Sequence, residues 1–169
     1  MKINKKLKIK WPWKVAWTER TKQAAKFIPA DTSVIDLGGG LGEFYKYLKG
    51  KSYYIALDQK EWTEFTVKCD FNKDELPAYP PFQFIVCLGT LEYIENPEKF
   101  LNDIRKYSDK LVITYRENSN GGMDRKSNLN YEELEKLLEK NGWEILAKKR
   151  VNKGDRLYYC NKIEINETN

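Results

Sequence analysis

Asp36-Leu37-Gly38-Gly39-Gly40-Leu41-Gly42 is the stretch that decides how this chain is read. It follows Ser33-Val34-Ile35, a β-branched run that predicts a buried strand. It leads into Glu43-Phe44-Tyr45-Lys46-Tyr47-Leu48, where Leu41, Phe44 and Leu48 share one face of a predicted helix. In the order strand, glycine turn, helix, the glycines accept positive φ, and the N–H groups opening the helix stay within reach of a ligand. A turn of this kind binds a nucleotide-like ligand.

Spacing and one acid narrow the choice. Dinucleotide folds use Gly-x-Gly-x-x-Gly after an apolar strand end. Here the spacing is Gly-x-Gly-x-Gly, and Asp36 stands two residues before the first glycine. A carboxylate there repels a pyrophosphate and suits a cation. The pattern resembles, at every position, the first motif of the class I S-adenosylmethionine-dependent methyltransferases, acid-x-Gly-x-Gly-x-Gly. The resemblance spans roughly residues 30 to 165. It implies an α/β fold, a Rossmann-like methyltransferase sandwich whose mostly parallel sheet ends in an antiparallel C-terminal hairpin. It also implies S-adenosyl-L-methionine as cofactor, held by Asp36, Gly38, Gly39, Gly40 and Gly42.

At 169 residues the chain has room for one sizeable core. We divide it into a basic N-terminal arm with a covering helix, residues 1–30, and a cofactor-binding domain, residues 31–165. The arm holds nine basic residues against Glu19 alone, a balance of +8 that leaves the other 139 residues at −3. Cys69, Cys87 and Cys160 are odd in number, and with His at 0 neither a disulfide framework nor a zinc site is indicated. The cysteines are read as small buried hydrophobes, and no metal is expected. No apolar run reaches the length of a membrane span and no cleavable leader is evident, so the expected compartment is the cytoplasm. The sequence leaves the oligomeric state open.

Taken in order, Lys14 to Phe27 forms an amphipathic helix stopped by Pro29. In the resembling family such a helix covers the cofactor cleft, which makes Trp13 and Trp17 candidates to line the acceptor pocket. Tyr53-Tyr54-Ile55-Ala56-Leu57-Asp58 is a second buried strand ending in an acid, placed to take both ribose hydroxyls, with Gln59 beside it. Only Gln59 to Glu64 separates it from a third strand, Phe65 to Asp70, too short for an ordinary crossover helix and leaving at most one turn around Trp62. By the resemblance, Asp70 receives the adenine amino group and Phe71 flanks the ring. Pro77, Pro80 and Pro81 exclude a helix before the fourth strand, Phe82 to Leu88, so this side of the sandwich is pared down.

At the carboxyl end of that strand, Leu88 and Gly89 join the cofactor candidates, and Glu92 and Tyr93 are the acid–base candidates. The run Leu91 to Leu101 resembles the post-strand-four signature of small-molecule methyltransferases. Asn96 caps and Pro97 opens the next helix, with Phe100, Leu101 and Ile104 inward. Strand five, Leu111 to Tyr115, runs into a polar loop to Asn128 whose Arg116 and Arg125 are candidates to bind an anionic acceptor. Asn130 and Glu133 form a capping box for Tyr131 to Lys140. Trp143–Val151 and Arg156–Ile165 close the chain as an antiparallel hairpin.

The implied reaction is direct displacement of methyl from a sulfonium to a small-molecule acceptor by O- or N-methylation. The acceptor is an anionic or sugar-like metabolite in one form of this reading. The segment after strand four, Leu88-Gly89-Thr90-Leu91, lacks the Asn/Asp-Pro-Pro-aromatic motif of base-amino methyltransferases, which argues against nucleic acid. Two alternatives stay open: a non-catalytic S-adenosylmethionine binder or partner subunit, and an RNA methyltransferase recruited by the basic arm.

Overall fold

The computed structural model describes residues 14–117 and 125–164. Trp13 lies outside the described residues, and Trp17 is described only as a backbone position. The elements in chain order are α1 (Lys14–Ala25), β1 (Ser33–Leu37), β2 (Tyr53–Asp58), β3 (Thr66–Lys68), β4 (Phe84–Leu88) and α2 (Pro97–Asp103). They are followed by β5 (Lys110–Arg116), α3 (Tyr131–Lys140), β6 (Trp143–Arg150) and β7 (Asp155–Lys162). Seven strands form one sheet in the order β3-β2-β1-β4-β5-β7-β6. The first five are parallel, and β7 inserts antiparallel between β5 and β6.

β1 and β4 are nearly continuous apolar runs because both faces of a parallel sheet are covered. One layer, centred on Ile35, Ile85, Leu101, Leu111, Leu134 and Trp143, lies under α2 and α3. The other, with Ala24, Ile28, Val34, Val86 and Leu157, lies under α1, so the covering helix shares the sheet's core. The predicted caps are present. Asn96 Oδ1 accepts from Lys99 N–H at 3.0 Å, and Asn130 and Glu133 exchange both capping-box bonds at 2.9 and 2.8 Å. The three cysteines are buried and free.

The segment after the glycine turn departs from expectation. In place of a helix over 43–48 there is a single 3-10 turn, Phe44–Tyr47, and Leu48 is already extended. Leu41, expected on the buried face, is 37% exposed. The cause is chain length and composition. The glycine turn and a second turn at Gly50 consume most of the span to Tyr53, and the aromatic run Phe44-Tyr45-Lys46-Tyr47 is a weak helix former. The β2–β3 crossover contains no helical turn around Trp62. It still delivers β3 parallel to β2, with Ala56 opposite Thr66 and Asp58 opposite Lys68. β3 is correspondingly short, β4 begins two residues later than expected, and Leu137 of α3 is only partly buried.

Candidate functional site

The parallel strands bring their carboxyl ends to one edge of the sheet, and the glycine turn leaves β1 there. Gly38 has φ +81° and donates its N–H to Leu57 O at 2.7 Å. A Cβ at this position would overlap the Thr90 hydroxyl, which itself donates to Leu37 O at 2.9 Å. The turn after β4 is thereby strapped to the turn after β1. At Gly39 the constraint is space: a Cβ would stand 2.7 Å from Ala56 Cβ, 3.0 Å from Tyr54 Oη and 3.1 Å from Asp36 Oδ2. Nothing lies within 4 Å of a Cβ at Gly40, so this glycine faces the open cleft.

Asp36 is 3% exposed, and Tyr54 donates its hydroxyl to Oδ2 at 2.7 Å. Burial pushes the Asp36 carboxyl up to about 7; the Tyr54 hydrogen bond and the more distant Arg20 oppose the rise, and Asp58 adds to it. Burial, followed by the field of Asp36, likewise raises the Tyr54 phenol. Asp58 closes the glycine turn from the neighbouring strand: Oδ2 accepts from Gly40 N–H at 3.0 Å and Oδ1 from the Trp62 indole at 2.9 Å. Gln59 beside it is exposed. Asp70 follows β3 at the same edge. A hydrogen bond from Lys73, 3.0 Å away, holds it below the usual carboxylate range. Phe71 packs inward, its ring 5.3 Å from that of Phe100.

A family model described as a methyltransferase domain matches residues 13–130. The chain belongs to the methyltransferase domain family. No curated protein matches the sequence. Solved structures share its fold at low identity. A SAM-dependent methyltransferase from Aquifex aeolicus is 20% identical, with 92% of this chain and 96% of that one covered at a TM-score of 0.71. The 1,6-didemethyltoxoflavin-N1-methyltransferase of Burkholderia thailandensis, with bound 1,6-didemethyltoxoflavin and S-adenosylhomocysteine, is 18% identical over 89% and 82%, at 0.70. The [4+2]-cyclase SpnF is 14% identical over 93% and 84%, at 0.72. This last neighbour shows that the fold alone does not dictate the reaction.

In this methyltransferase the most informative residue was absent from the sequence reading. Arg20 of α1 reaches across the sheet so that a Cβ at Gly89 would overlap its guanidinium. Its Nε is buried without a hydrogen-bond partner, and none of the ion pairs among the described residues includes it. A signal was available: Arg20 precedes Ala24 by four residues and so lies on the helix's buried stripe, where a cation is out of place. Tyr54 and Thr90 were also missed, because their roles depend on contacts made across strands.

The acid–base and acceptor candidates are tied into the protein. Glu92 is 2% exposed and clasps both ends of the segment after β5. Its Oε1 accepts from Arg116 N–H at 2.9 Å, and its main-chain oxygen accepts from Lys126 and Ser127 N–H at 2.9 and 3.1 Å. Glu92 Oε2 is buried without a partner, and burial raises this carboxyl above its ordinary range. Arg116 forks onto Asp155 at 2.8 and 3.1 Å, and Arg125 donates to Arg116 O at 2.9 Å with Glu92 3.6 Å away. Tyr93 is 49% exposed at the rim. Among the described residues no cluster of three His, Cys, Asp or Glu side chains is arranged to hold a metal, and no helix is long and apolar enough to cross a membrane.

Proposed function

We propose that this methyltransferase transfers the methyl group of S-adenosyl-L-methionine to a small-molecule acceptor at oxygen or nitrogen. One observation carries the cofactor assignment. A buried carboxyl at Asp36 and the Arg20 guanidinium, whose buried Nε has no hydrogen-bond partner, meet at a glycine cradle, charges of opposite sign that suit one zwitterionic, cationic ligand. The cofactor supplies, when bound, a methyl group already activated by a sulfonium centre.

The residues divide the binding between them. The turn Gly38-Gly39-Gly40, open at Gly40, accepts the amino-acid chain, and Arg20 takes its carboxylate. Asp58 takes the ribose hydroxyls, and Asp70 and Phe71 serve the adenine; Gln59, Leu88 and Gly89 complete the wall. Ordering an acceptor against a held methyl group is worth about 7–11 kcal/mol of barrier, so positioning suffices for most of the rate. Glu92 is a positioning residue for the acceptor side, and its free Oε2 is the proton acceptor for a neutral alcohol or amine. Tyr93, Arg116 and Arg125 border the acceptor.

The test is calorimetric titration of the purified full chain with S-adenosylhomocysteine, followed by transfer of labelled methyl to a small-molecule extract. One-to-one binding and labelled small-molecule product are expected. Absence of binding would overturn the reading.

A further inference from the structure

The carboxyl edge of the sheet is electrically divided. Residues 58–76, which form the crossover, β3 and the following loop, carry six acids (Asp58, Glu61, Glu64, Asp70, Asp74, Glu75) against three lysines. The opposite half is basic. Because β7 runs antiparallel to β5 with Asp155 opposite Arg116, the β6–β7 turn rises to the same edge as the cleft. Residues 148–154, spanning the end of β6 and that turn, carry four cations and no acid. All four are exposed; Lys148 pairs with Glu135 at 2.8 Å, which leaves Lys149, Arg150 and Lys153 as the charges that count here. Arg150 spends its donors on the carbonyls of Asn152 and Lys153 and keeps its charge.

α1 adds to this half. Arg20 sits over Gly89 at the cleft edge, while the Phe27 ring lies 5.1 Å from that of Tyr159, toward the other end of the sheet. The helix therefore descends away from the cleft, and its first residue, Lys14, stands about 9 Å above Arg20 at 1.5 Å per residue. Deeper in, Arg116 and Arg125 face the buried carboxylates Asp155 and Glu92, and Arg20 also faces Asp36, so the positive field of this half comes from the exposed cations above them.

We infer that the acceptor is a small anionic molecule, drawn in over the β5–β7–β6 half while the cationic cofactor occupies the acidic β1–β3 half. This rests on the methyl-transfer reading above and names the substrate class of that same site. Opposite fields on the two halves keep each ligand out of the other's place and speed encounter, more so at low salt. Lys149 and Lys153 act through this field and touch no reacting atom.

The test begins with a metabolite extract split on an anion exchanger before reaction, each fraction then being offered to the full chain with methyl-labelled cofactor. Label transfer into the acid-bearing fraction is expected. Lys149→Glu with Lys153→Glu should lower kcat/KM for that fraction about tenfold at low salt, with little effect at high salt and unchanged affinity for S-adenosylhomocysteine. Lys49→Glu with Lys51→Glu makes the same change in net charge on exposed residues ahead of β2, at the far end of the sheet, and should leave kcat/KM within about twofold. Transfer to the neutral or cationic fraction would overturn the inference, as would transfer to RNA alone or equal loss in both double variants. If S-adenosylhomocysteine does not bind at all, the methyl-transfer reading itself has failed.

Discussion

Tyr54 Oη lies 2.7 Å from Asp36 Oδ2, and this one hydroxyl is the hydrogen-bond partner of a carboxyl that is 3% exposed. The pair costs the fold stability when ionised and readies the cleft for a cation. Since Asp36 is raised from 3.8 to about 7, the native state holds a proton there that the unfolded chain releases. The stabilising contribution is full below about pH 4 and fades as pH rises toward 7, by up to about 4 kcal/mol. Asp36→Asn should abolish this dependence, melt higher than the native chain at pH 8, and bind S-adenosylhomocysteine at least tenfold more weakly. Thermal melts from pH 4 to pH 8 check it, and parallel curves for the two proteins would refute it.

Gly39→Ala forces a methyl group to 2.7 Å from Ala56 Cβ and should destabilise by about 1–3 kcal/mol. Gly40→Ala, with open space but φ +50°, should cost only about 1–2 kcal/mol of strain. It should weaken cofactor binding disproportionately. Urea denaturation and calorimetry on the two variants separate the effects.

Arg20→Gln removes a charge-assisted bond to a carboxylate, worth about 1.5–3 kcal/mol, and should weaken S-adenosylhomocysteine roughly 10- to 150-fold. Folding stability should hold or rise, since the buried Nε has no hydrogen-bond partner in the protein. A large loss of stability with unchanged affinity would reassign Arg20 to a structural role.

Glu92→Ala removes the carboxylate that accepts from Arg116 N–H and faces Arg125, leaving the main-chain bonds to Lys126 and Ser127, and should speed tryptic cleavage at Arg125 severalfold. Glu92→Gln keeps the oxygen that accepts from Arg116 N–H and should stay close to the native rate. Equal cleavage in all three proteins would show that the Glu92 carboxylate does not hold this segment.

Much of this was legible because the decisive signals were local. Ser33 to Gly42 carries a strand and its terminal turn in consecutive residues, Tyr53 to Asp58 and Phe84 to Leu88 each carry a strand, and Asn130 with Glu133 announces α3. The helix expected after Gly42 failed because helical spacing of three apolar residues says nothing about how much chain the flanking turns consume. Arg116 and Arg125 were placed at the acceptor edge, but their partners Asp155 and Glu92 come from elements 39 residues onward and 33 residues back. Arg20 escaped notice because a half-buried cation shows itself only once the element beneath it is known.

Titration calorimetry of the full chain with S-adenosylhomocysteine at pH 8, alongside Asp58→Ala, tests most directly whether the glycine turn and its carboxylates form one nucleoside site. The account predicts one-to-one binding in the native protein and at least a tenfold loss in Asp58→Ala. No binding heat and no thermal stabilisation in the native protein, or equal affinity in both, would contradict it.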